Sequence, residues 1–427
     1  MCMDITLNKA KIEGSITVPS SKSQTIRALL IATFAHSVSI IHNPLISSDT
    51  MSCIKACRAL GAIIEEHPDY LRIVAPTQFP ASVSIDCGNS GTTLYLLCAM
   101  VASKEITATF YGDEQLNSRP IQPLLEALAD LGVEVSYPNH NSKEWYPPFT
   151  LSGPIIGGGV NITCNTSQHL SALLLSGVMA QESIDISVEL LNEKPYVEMT
   201  LDWLKQQKLI VKHNTSLTNF FIPGKQTYNP IDVSISGDFS SASFFFGAAA
   251  VAKGTIEVHG LNKEDKQGDK EILSILEKMG CTVIWHEDTV VVSLAENEEL
   301  IAGTFDLNAI PDALPILAVV ASFAKGTTTL MNVPQARIKE TDRIACMKNN
   351  LEAIGVKVED TIDSIIIHGQ HTVKGGVVDS FKDHRIIMAM AIASLNTESP
   401  ITIYGIDAVE VTFPTFFTLL ERIKQEN

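Results

Sequence analysis

Six stretches of this chain share one pattern, in which a short polar cluster directly precedes a run of small and apolar residues. The six clusters begin at Ser21, Asn89, Thr166, Asp238, Pro311 and Lys382. They are spaced by about 70 residues, which is longer than the common solenoid repeats, so each repeat is expected to be a small folding unit rather than one turn of a stack.

Each polar cluster is predicted to lie at the start of a helix. The first cluster precedes ALLIATFA and the fourth precedes ASFFFGAAAVA, both of which are apolar on every face. Free N–H groups and the positive end of the helix dipole gather at a helix N-terminus, where they favour anions. The pattern therefore predicts six places suited to negatively charged groups.

The remaining residues of each repeat follow a constant order. A strand with β-branched residues in near alternation comes after the apolar helix, as in residues 106–112, 254–260 and 326–332. An amphipathic helix follows, and glycine is expected in the left-handed conformation after three of these helices, at Gly132, Gly280 and Gly355. Two further strands complete the repeat. The fold class is therefore α/β, built from six β-α-β-α-β-β repeats.

The two ends of the chain predict how these repeats group into domains. The sixth repeat stops after its amphipathic helix, while strands at 4–9 and 14–20 precede the first cluster without a helix of their own. The simplest closure pairs these N-terminal strands with repeats four to six. We therefore expect one domain of residues 19–234 and another of 1–18 with 235–427. The chain would pass between these two domains twice, which predicts a hinge and a cleft where helix N-termini of both domains converge.

Composition and charge limit the classes of molecule that the chain is expected to bind. A chain with 45% hydrophobic and 19% charged residues is globular, and its net charge of −17 argues against nucleic acid and anionic membranes as partners. The apolar runs of about a dozen residues are shorter than the roughly 18 needed to span a bilayer, and no secretory leader is recognisable. We expect a soluble, cytoplasmic protein that holds anions with a local basic cluster.

The metal-binding residue types form no familiar pattern. The eight cysteines include no CxxC pair, and the 11 histidines form no HExxH motif. We expect reduced, mostly buried thiols and no metal site.

Three charged positions suggest chemistry, each with a structural alternative. Arg385 opens an apolar helix, so it needs either a bound anion or a carboxylate partner, for which Asp383 is a candidate. Asp312 is either a first-turn helix acid or a general base in a cleft lined with cations. The charged segment from Lys339 to Arg343, taken alone, is typical of a solvated face.

Motifs over almost the whole chain resemble the 5-enolpyruvylshikimate-3-phosphate (EPSP) synthase family. The first half contains SSKSQTIRALLIA (20–32), GNSGTT (88–93), SRP (118–120), TSQHLSALL (166–174) and KPY (194–196). The second half contains GDFSSASFF (237–245), IPDALPILAV (310–319), RIKETDRI (337–344), DHR (383–385) and TFPTFF (412–417). The resemblance implies a two-domain inside-out α/β barrel with three repeats in each domain.

The resemblance also implies a reaction. The enolpyruvyl group of phosphoenolpyruvate would be transferred to the 5-hydroxyl of shikimate 3-phosphate, with release of phosphate, in the pathway to chorismate and aromatic amino acids. No metal or organic cofactor is implied. The expected partners are these two small molecules, with no nucleic acid and no membrane, and we expect a monomer.

Matching by motif implies roles for individual residues. Shikimate 3-phosphate would be held by Ser23, Arg27, Thr166, Ser167, Gln168, Tyr196, Asp312, Gln335 and Lys339. Phosphoenolpyruvate would be held by Lys22, Gly91, Arg119, Gln168, Arg343 and Arg385. The catalytic residues would be Asp312, taking the proton of the 5-hydroxyl, and Glu340 with Lys22, handling the proton at the phosphoenolpyruvate methylene.

The chain departs from the family pattern at three positions. Val411 stands where the family usually has Lys, Glu193 where it often has Ser or Arg, and Tyr95 where it often has Arg. A hydrogen bond to a charged group contributes about 1.5–3 kcal/mol. The missing lysine therefore predicts roughly ten- to hundredfold weaker handling of phosphoenolpyruvate.

Two other functions are alternatives to this one. A UDP-N-acetylglucosamine enolpyruvyl transferase would share the fold and the donor, but that family has a reactive loop cysteine near the position of Arg119, and no cysteine lies between Cys98 and Cys164. A non-catalytic anion-binding homologue is suggested by Val411 and Glu193. The joint presence of Lys22, Asp312, Glu340 and Arg385 argues against it.

Overall fold

The computed structural model describes residues 3–136 and 145–425. Within these residues the α-helices, in chain order, are α1 (Lys22–Phe34), α2 (Ser48–Ala59), α3 (Gly91–Ala102), α4 (Gln122–Asp130), α5 (Ser167–Gly177), α6 (Lys194–Gln206), α7 (Phe239–Ala252), α8 (Ile272–Lys278), α9 (Leu314–Ser322), α10 (Arg343–Ala353), α11 (His384–Ala393) and α12 (Phe416–Ile423).

The strands alternate with these helices. Those up to residue 234 are β1 (Ile5–Leu7), β2 (Glu13–Thr17), β3 (Val38–His42), β4 (Ile63–Glu66), β5 (Tyr70–Val74), β6 (Ser82–Asp86), β7 (Thr107–Tyr111), β8 (Glu134–Ser136), β9 (Phe149–Ser152), β10 (Gly158–Cys164), β11 (Ile184–Leu191), β12 (Lys212–His213), β13 (Asn219–Ile222) and β14 (Asp232–Ser234). The later strands are β15 (Thr255–His259), β16 (Thr282–His286), β17 (Thr289–Ser293), β18 (Thr304–Asp306), β19 (Thr327–Met331), β20 (Lys357–Asp360), β21 (Ile365–His368), β22 (Gly376–Asp379) and β23 (Ile401–Tyr404).

The odd-numbered helices α1 to α11 are the apolar ones, and each begins at or next to a predicted polar cluster. They are buried almost all round: in α7, for example, every residue from Phe239 to Val251 is buried. The prediction of helices after the six clusters is confirmed. The fifth copy differs in detail, because a 3-10 turn (Pro311–Ala313) leads into α9.

The even-numbered helices bury one face. In α12 the buried residues Phe416, Leu420 and Ile423 follow the spacing of one helical stripe. Gly132, Gly280 and Gly355 lie just beyond α4, α8 and α10 with φ of +94°, +105° and +89°, a conformation that glycine adopts without a Cβ clash. The predicted glycine ends of these three helices are confirmed.

Five small sheets share one topology. The orders are β14-β3-β5-β4, β6-β7-β9-β8, β10-β11-β13-β12, β2-β15-β17-β16 and β18-β19-β21-β20. In each, the first two strands run parallel and the hairpin strands pair antiparallel, as in the second sheet. The remaining sheet, β22-β23-β1, has three strands within the described residues. The repeated β-α-β-α-β-β order is therefore confirmed.

Strand pairing links distant parts of the chain. The N-terminal strand β2 pairs in parallel with β15, and β1 pairs antiparallel with β23. The predicted closure of the N-terminal strands onto the later repeats is confirmed. In a matching exchange, β14 returns to pair in parallel with β3 of the first repeat. A paired strand thus precedes each of the two points where the chain crosses between the compact units, and an apolar helix follows it.

The chain separates into two compact units. The middle unit is Ser20–Ile235, and the terminal unit is Met1–Pro19 with Ser236–Asn427. Each has its own hydrophobic core. In the middle unit α3 packs against both α1 and α5, and in the terminal unit α7, α9 and α11 pack against one another. The division into two domains, one of residues 19–234 and one of 1–18 with 235–427, stays a prediction.

Three further features bear on the sequence predictions. The seven cysteines in the described part of the chain are free and buried, which confirms the expectation for them, while Cys2 lies outside it. No helix among residues 3–136 and 145–425 is both long and apolar enough to cross a bilayer. The same residues contain no group of three or more His, Cys, Asp or Glu side chains placed to hold a metal ion.

Candidate active site

A single guanidinium, that of Arg343, lies at the centre of a charge cluster in the terminal unit. Its Nη1 is 2.6 Å from Asp312 Oδ1, its Nη2 is 2.6 Å from Glu340 Oε2, and its Nε is 2.8 Å from Asp383 Oδ2. The Arg343 side chain is only 1% exposed. A buried guanidinium is favourable only when its charge is matched, and three carboxylates do so here.

Three separate segments bring these groups together. Asp312 lies in the 3-10 turn before α9, and Glu340 lies between a second 3-10 turn (Pro334–Ile338) and α10. Asp383 is the N-cap of α11, where its Oδ1 accepts a hydrogen bond from the Arg385 backbone N–H at 2.8 Å. The repeated placement of polar clusters at helix starts therefore gathers the charges of repeats five and six.

The side chain of Arg385 contacts a different carboxylate from the one predicted. Its Nη2 is 3.1 Å from Asp312 Oδ2, and the side chain is 7% exposed. Asp383 instead caps α11 and faces Arg343, so the suggested Asp383 partnership with the Arg385 side chain is wrong. The capping geometry explains the difference, because it turns the Asp383 carboxylate toward the helix N–H groups.

Burial also corrects the interpretation of the charged segment from Lys339 to Arg343 as a solvated face. Arg343 and the first turn of α10 face the core, with Asp342 as the N-cap accepting from the Ala345 N–H at 3.0 Å. Asp312 is likewise no simple helix cap, since it bridges Arg343 and Arg385. The sequence could not distinguish these alternatives because they depend on contacts between repeats.

The cluster strongly shifts the pKa of its members. Burial by itself raises the pKa of Asp312, but positive charges on Arg385, Lys339 and Arg343 outweigh burial and hold this pKa well below the ordinary value. Burial lowers the pKa of Arg343, but its carboxylate neighbours outweigh burial and raise it. Asp312 is therefore ionised at neutral pH, and with 21% of its side chain exposed it can meet a ligand.

Gln335 and Lys339 flank this cluster. Gln335 is 1% exposed and donates from Nε2 to the Asn308 carbonyl at 2.9 Å. The turn that holds it packs against the turn that holds Asp312. Lys339 directly follows this turn, and its charge contributes to the low pKa of Asp312. Both predicted residues therefore border Asp312 in the terminal unit.

In the middle unit, Lys22 is the first residue of α1. Its Nζ lies 2.9 Å from Asp49 Oδ2, and Asp49, in the first turn of α2, is 4% exposed. The sequence reasoning missed Asp49 because nothing in its local pattern connects the two helix starts. Asp49 Oδ1 is buried and, within the described residues, accepts no hydrogen bond.

Arg27 is buried one turn further along α1, with 1% of it exposed. It donates to Thr200 Oγ1 at 3.0 Å, to the Ser23 carbonyl at 3.0 Å and to the Tyr196 carbonyl at 3.3 Å. Burial lowers the pKa of Arg27 to about 10, because these oxygens carry no full charge. The predicted residues Ser23, Arg27 and Tyr196 are thus in contact.

Gly91 and Arg119 form another pair. Gly91 is the first residue of α3, and a Cβ built on it would lie 2.7 Å from Arg119 Nη1. Arg119 is 8% exposed and donates from Nη2 to Asn89 Oδ1 at 3.0 Å. The absence of a side chain at Gly91 therefore allows the guanidinium to approach the helix start. Asn89 belongs to the predicted polar cluster, but its role was not foreseen.

The start of α5 already holds a carboxylate. Glu193 Oε2 accepts hydrogen bonds from the Ser167 N–H at 3.1 Å, from Ser167 Oγ at 2.8 Å and from Thr166 Oγ1 at 3.1 Å. Gln168 follows, and its buried Oε1 accepts no hydrogen bond from the described part of the chain. Glu193 was noted only as a departure from a family pattern, and its contact with α5 was missed.

The six helix starts are therefore not equally open to an added anion. At α7, Asp238 Oδ2 accepts from the Ser241 N–H at 3.1 Å and from Ser241 Oγ at 2.8 Å. The Phe239 N–H donates to Gln267 Oε1 at 2.9 Å. The expectation that every cluster suits an anionic ligand is wrong for this one, because the chain supplies its own acceptors there.

The two groups of residues provide complementary chemistry. In the terminal unit, Asp312 and Glu340 are carboxylates able to exchange protons, and they lie on the same guanidinium. In the middle unit, Arg27, Lys22 and Arg119 are cations at or near helix starts. Cations of this kind bind phosphate and carboxylate groups, and paired carboxylates serve acid and base steps.

Comparison with known proteins gives consistent matches over nearly the full length. The family model described as EPSP synthase (3-phosphoshikimate 1-carboxyvinyltransferase) matches residues 7–420. A 3-phosphoshikimate 1-carboxyvinyltransferase of Acetivibrio thermocellus is 41% identical over 424 residues, covering 98% of each chain. One of Ruminiclostridium cellulolyticum is 40% identical and covers 97% of each chain.

Solved structures agree with the sequence matches. An EPSP synthase of Acinetobacter baumannii superposes with a TM-score of 0.80 at 25% identity, covering 99% of this chain and 98% of that one. The enolpyruvyl transferase NikO of Streptomyces tendae shares the fold, with a TM-score of 0.79 at 17% identity and coverage of 98% and 96%.

Proposed function

Because this chain belongs to the EPSP synthase family, we propose that it transfers the enolpyruvyl group of phosphoenolpyruvate to the 5-hydroxyl of shikimate 3-phosphate and releases phosphate. Relatives at 35–41% identity over nearly the whole chain carry the name of this activity. Neither the family model nor these relatives favour a UDP-N-acetylglucosamine enolpyruvyl transferase.

The observation that best supports this reaction is the arrangement around Arg343. Asp312 and Glu340 each lie 2.6 Å from this guanidinium, and Arg385 reaches Asp312 from the other side. An addition followed by an elimination at one carbon needs groups that take and return protons beside cations that hold anionic substrates. This cluster contains both kinds of group.

The site residues are assigned to the substrates as follows. Shikimate 3-phosphate is held by Ser23, Arg27, Thr166, Ser167, Gln168, Tyr196, Asp312, Gln335 and Lys339. Phosphoenolpyruvate is held by Lys22, Gly91, Arg119, Gln168, Arg343 and Arg385.

The chemistry has two stages. In the addition, Asp312 takes the proton of the 5-hydroxyl while the hydroxyl oxygen bonds to C2 of phosphoenolpyruvate. Glu340 with Lys22 delivers a proton to the methylene carbon. In the elimination, the methyl carbon formed in this way returns a proton to Glu340, and the bond from C2 to the phosphate oxygen breaks. The product keeps the enolpyruvyl ether, and phosphate leaves with the bonding electrons.

The ion pairs of Asp312 connect donor binding to its basicity. Charges on Arg385, Lys339 and Arg343 hold the pKa of Asp312 low, so the carboxylate is a weak base without substrate. A phosphoenolpyruvate anion bound to Arg343 and Arg385 offsets these charges, which raises the pKa of Asp312. Asp312 therefore becomes an effective base only when the donor is in place.

The test is release of inorganic phosphate from shikimate 3-phosphate plus phosphoenolpyruvate, with product identified by mass spectrometry. UDP-N-acetylglucosamine serves as the alternative acceptor. Turnover with shikimate 3-phosphate is expected. Turnover only with the nucleotide sugar contradicts the proposed acceptor, and binding of both ligands without any turnover identifies a non-catalytic homologue.

We further propose a monomer in the cytoplasm. All residues assigned to the substrates belong to one chain, so this assignment calls for no second copy. Sedimentation at the concentration of the assay should give the mass of a single chain of 46.4 kDa. A dimer with higher specific activity than the monomer would contradict this part of the proposal.

A further inference from the structure

The carboxylate of Glu193 occupies hydrogen-bond donors of Thr166 and Ser167, two residues that the proposed function assigns to shikimate 3-phosphate. Ser167 Oγ, the Ser167 N–H and Thr166 Oγ1 converge on Glu193 Oε2 at 2.8, 3.1 and 3.1 Å. All three donors belong to the start of α5, where the helix dipole also favours a negative charge. Glu193 is 2% exposed, so this oxygen takes the place of an anion inside the protein.

Glu193 reaches these donors from another element. It lies 26 residues after Ser167, at the N-cap of α6, with φ of +57° and ψ of +42°. A non-glycine residue is uncommon in this left-handed region. Its side chain makes no cap hydrogen bond to α6. An ordinary helix acid would stabilise its own helix, whereas this residue has an unfavourable backbone and points its carboxylate at α5.

A phosphate group needs the same donors. Each hydroxyl has one hydrogen to donate, so a phosphate oxygen and Glu193 Oε2 cannot both receive full hydrogen bonds from Ser167 and Thr166. If the carboxylate stayed in place, two negative groups would lie about 4 Å apart, a strongly repulsive arrangement away from bulk water. Binding of the phosphate therefore requires Glu193 to leave the start of α5.

We propose that Glu193 is a specificity-determining residue, a resident carboxylate that the phosphate of the acceptor must displace from Thr166 and Ser167. This inference rests on the proposed function for the identity of the acceptor. The whole acceptor has further contacts that offset the displacement, whereas inorganic phosphate has none. Glu193 thus weakens binding of both the acceptor and free phosphate, which is also the released product, and only the acceptor has further contacts that offset this cost.

Substitution of Glu193 tests the displacement. In Glu193→Ser the donors are free and a small hydroxyl replaces the carboxylate, so KM for shikimate 3-phosphate should fall about tenfold with little change in kcat. Glu193→Gln keeps the shape and an acceptor oxygen but removes the charge, so a smaller fall is expected. Glu189→Gln is the matched control, since the exposed Glu189 carboxylate accepts a hydrogen bond from Thr163 Oγ1 at 3.1 Å and both residues lie in strands, β11 and β10.

Calorimetry with inorganic phosphate gives a second readout that does not depend on turnover. The full-length protein should bind phosphate at least tenfold more tightly as Glu193→Ser than as wild type, and phosphate should become a stronger inhibitor competitive with the acceptor. If Glu193→Ser does not fold, the same binding and inhibition measurements on Glu193→Gln test the inference.

The outcomes separate this inference from the proposed function. Tighter phosphate binding by the variants supports the resident carboxylate even if the wild type shows no turnover, which would contradict only the proposed function. Unchanged or weaker binding of both phosphate and acceptor, together with a lower melting temperature, would mean that Glu193 only stabilises α5 and would overturn the inference.

Discussion

Arg343 in the terminal unit and Arg27 in the middle unit are both about 1% exposed, yet carboxylates surround the first and neutral oxygens surround the second. Arg343 contacts three carboxylates, which raise its pKa despite burial. Arg27 contacts a hydroxyl and two carbonyl groups, and burial lowers its pKa to about 10. A bound anion must therefore compete with resident carboxylates at Arg343, whereas at Arg27 it would supply the missing charge.

This difference indicates two kinds of site. Under the proposed function, a ligand that takes the Arg343 guanidinium would release its carboxylates for proton transfer. The Arg27 guanidinium would instead serve binding, because it is already desolvated and positioned. The start of α5 departs from this scheme, since the Glu193 carboxylate already accepts hydrogen bonds from its donors.

The sharpest test of the cluster around Arg343 is Asp312→Ala. Loss of a general base should lower kcat by a factor of about 10²–10⁴ with a smaller change in KM, because the base acts in the transition state. Steady-state kinetics of phosphate release gives both constants. The exposed hairpin residue Asp288 provides the control, and Asp288→Ala should keep wild-type kcat. Near-normal turnover of Asp312→Ala would remove Asp312 from the mechanism.

The comparison of the two arginines predicts unequal effects on stability. Arg343→Met leaves buried carboxylates without their cation, so the free energy of unfolding should fall by about 3–5 kcal/mol. Arg27→Met removes a cation that contacts no carboxylate among the described residues, so the free energy of unfolding of this variant should change by no more than about 1 kcal/mol. Urea unfolding of both variants measures the difference. Equal losses would show that the two charges are balanced alike.

Gly91→Ala tests how closely Arg119 approaches α3. The new Cβ would lie 2.7 Å from Arg119 Nη1, so the flexible guanidinium has to move while the helix stays intact. KM for phosphoenolpyruvate should rise about tenfold with an unchanged melting temperature. Gly159→Ala is the control, because nothing lies within 4 Å of a Cβ there. An unchanged KM would exclude Arg119 from the donor site.

The pH dependence of kcat/KM tests the low pKa of Asp312. This constant reports the protonation of groups in the free enzyme. Protonation of Asp312 should therefore lower kcat/KM, the acid limb of the profile, only when the pH falls below the ordinary aspartate pKa of about 4. Removal of one cation in Arg385→Met should raise the pKa of Asp312 and move the limb upward by roughly one pH unit, measured on the residual activity. Lys325→Met, at a side chain 70% exposed, should leave the limb in place. A limb unmoved by Arg385→Met would contradict the assigned ion pair.

The repeats were predictable because their signals are local. A polar cluster before an apolar run marks a helix start, alternation marks a strand, and glycine marks a helix end, and each signal depends on a few neighbouring residues. Of the exchange of β2 and β14 between the first and fourth repeats, only the placement of β2 was predicted, because the missing strands of the last repeat pointed to the N-terminus. The motifs then named Arg343, Asp312, Arg385 and Arg27 as candidates.

The contacts of those candidates were not predictable in the same way. Asp49, Asp383 and Glu193 each face a partner more than 25 residues away in sequence. The residue type shows only that each is a carboxylate, and the same type also occurs on solvated faces.

The amino-acid sequence by itself determined the repeat, the order of helices and strands, and the family, because these follow from local periodicity and from motifs read along the chain. Only the tertiary structure decided which carboxylate meets which cation, that Asp312 rather than Asp383 holds the Arg385 side chain, and that Glu193 occupies the start of α5. The physical reason is that ion pairs and buried hydrogen bonds depend on distances of a few ångströms between repeats, which the packing of helices and sheets sets.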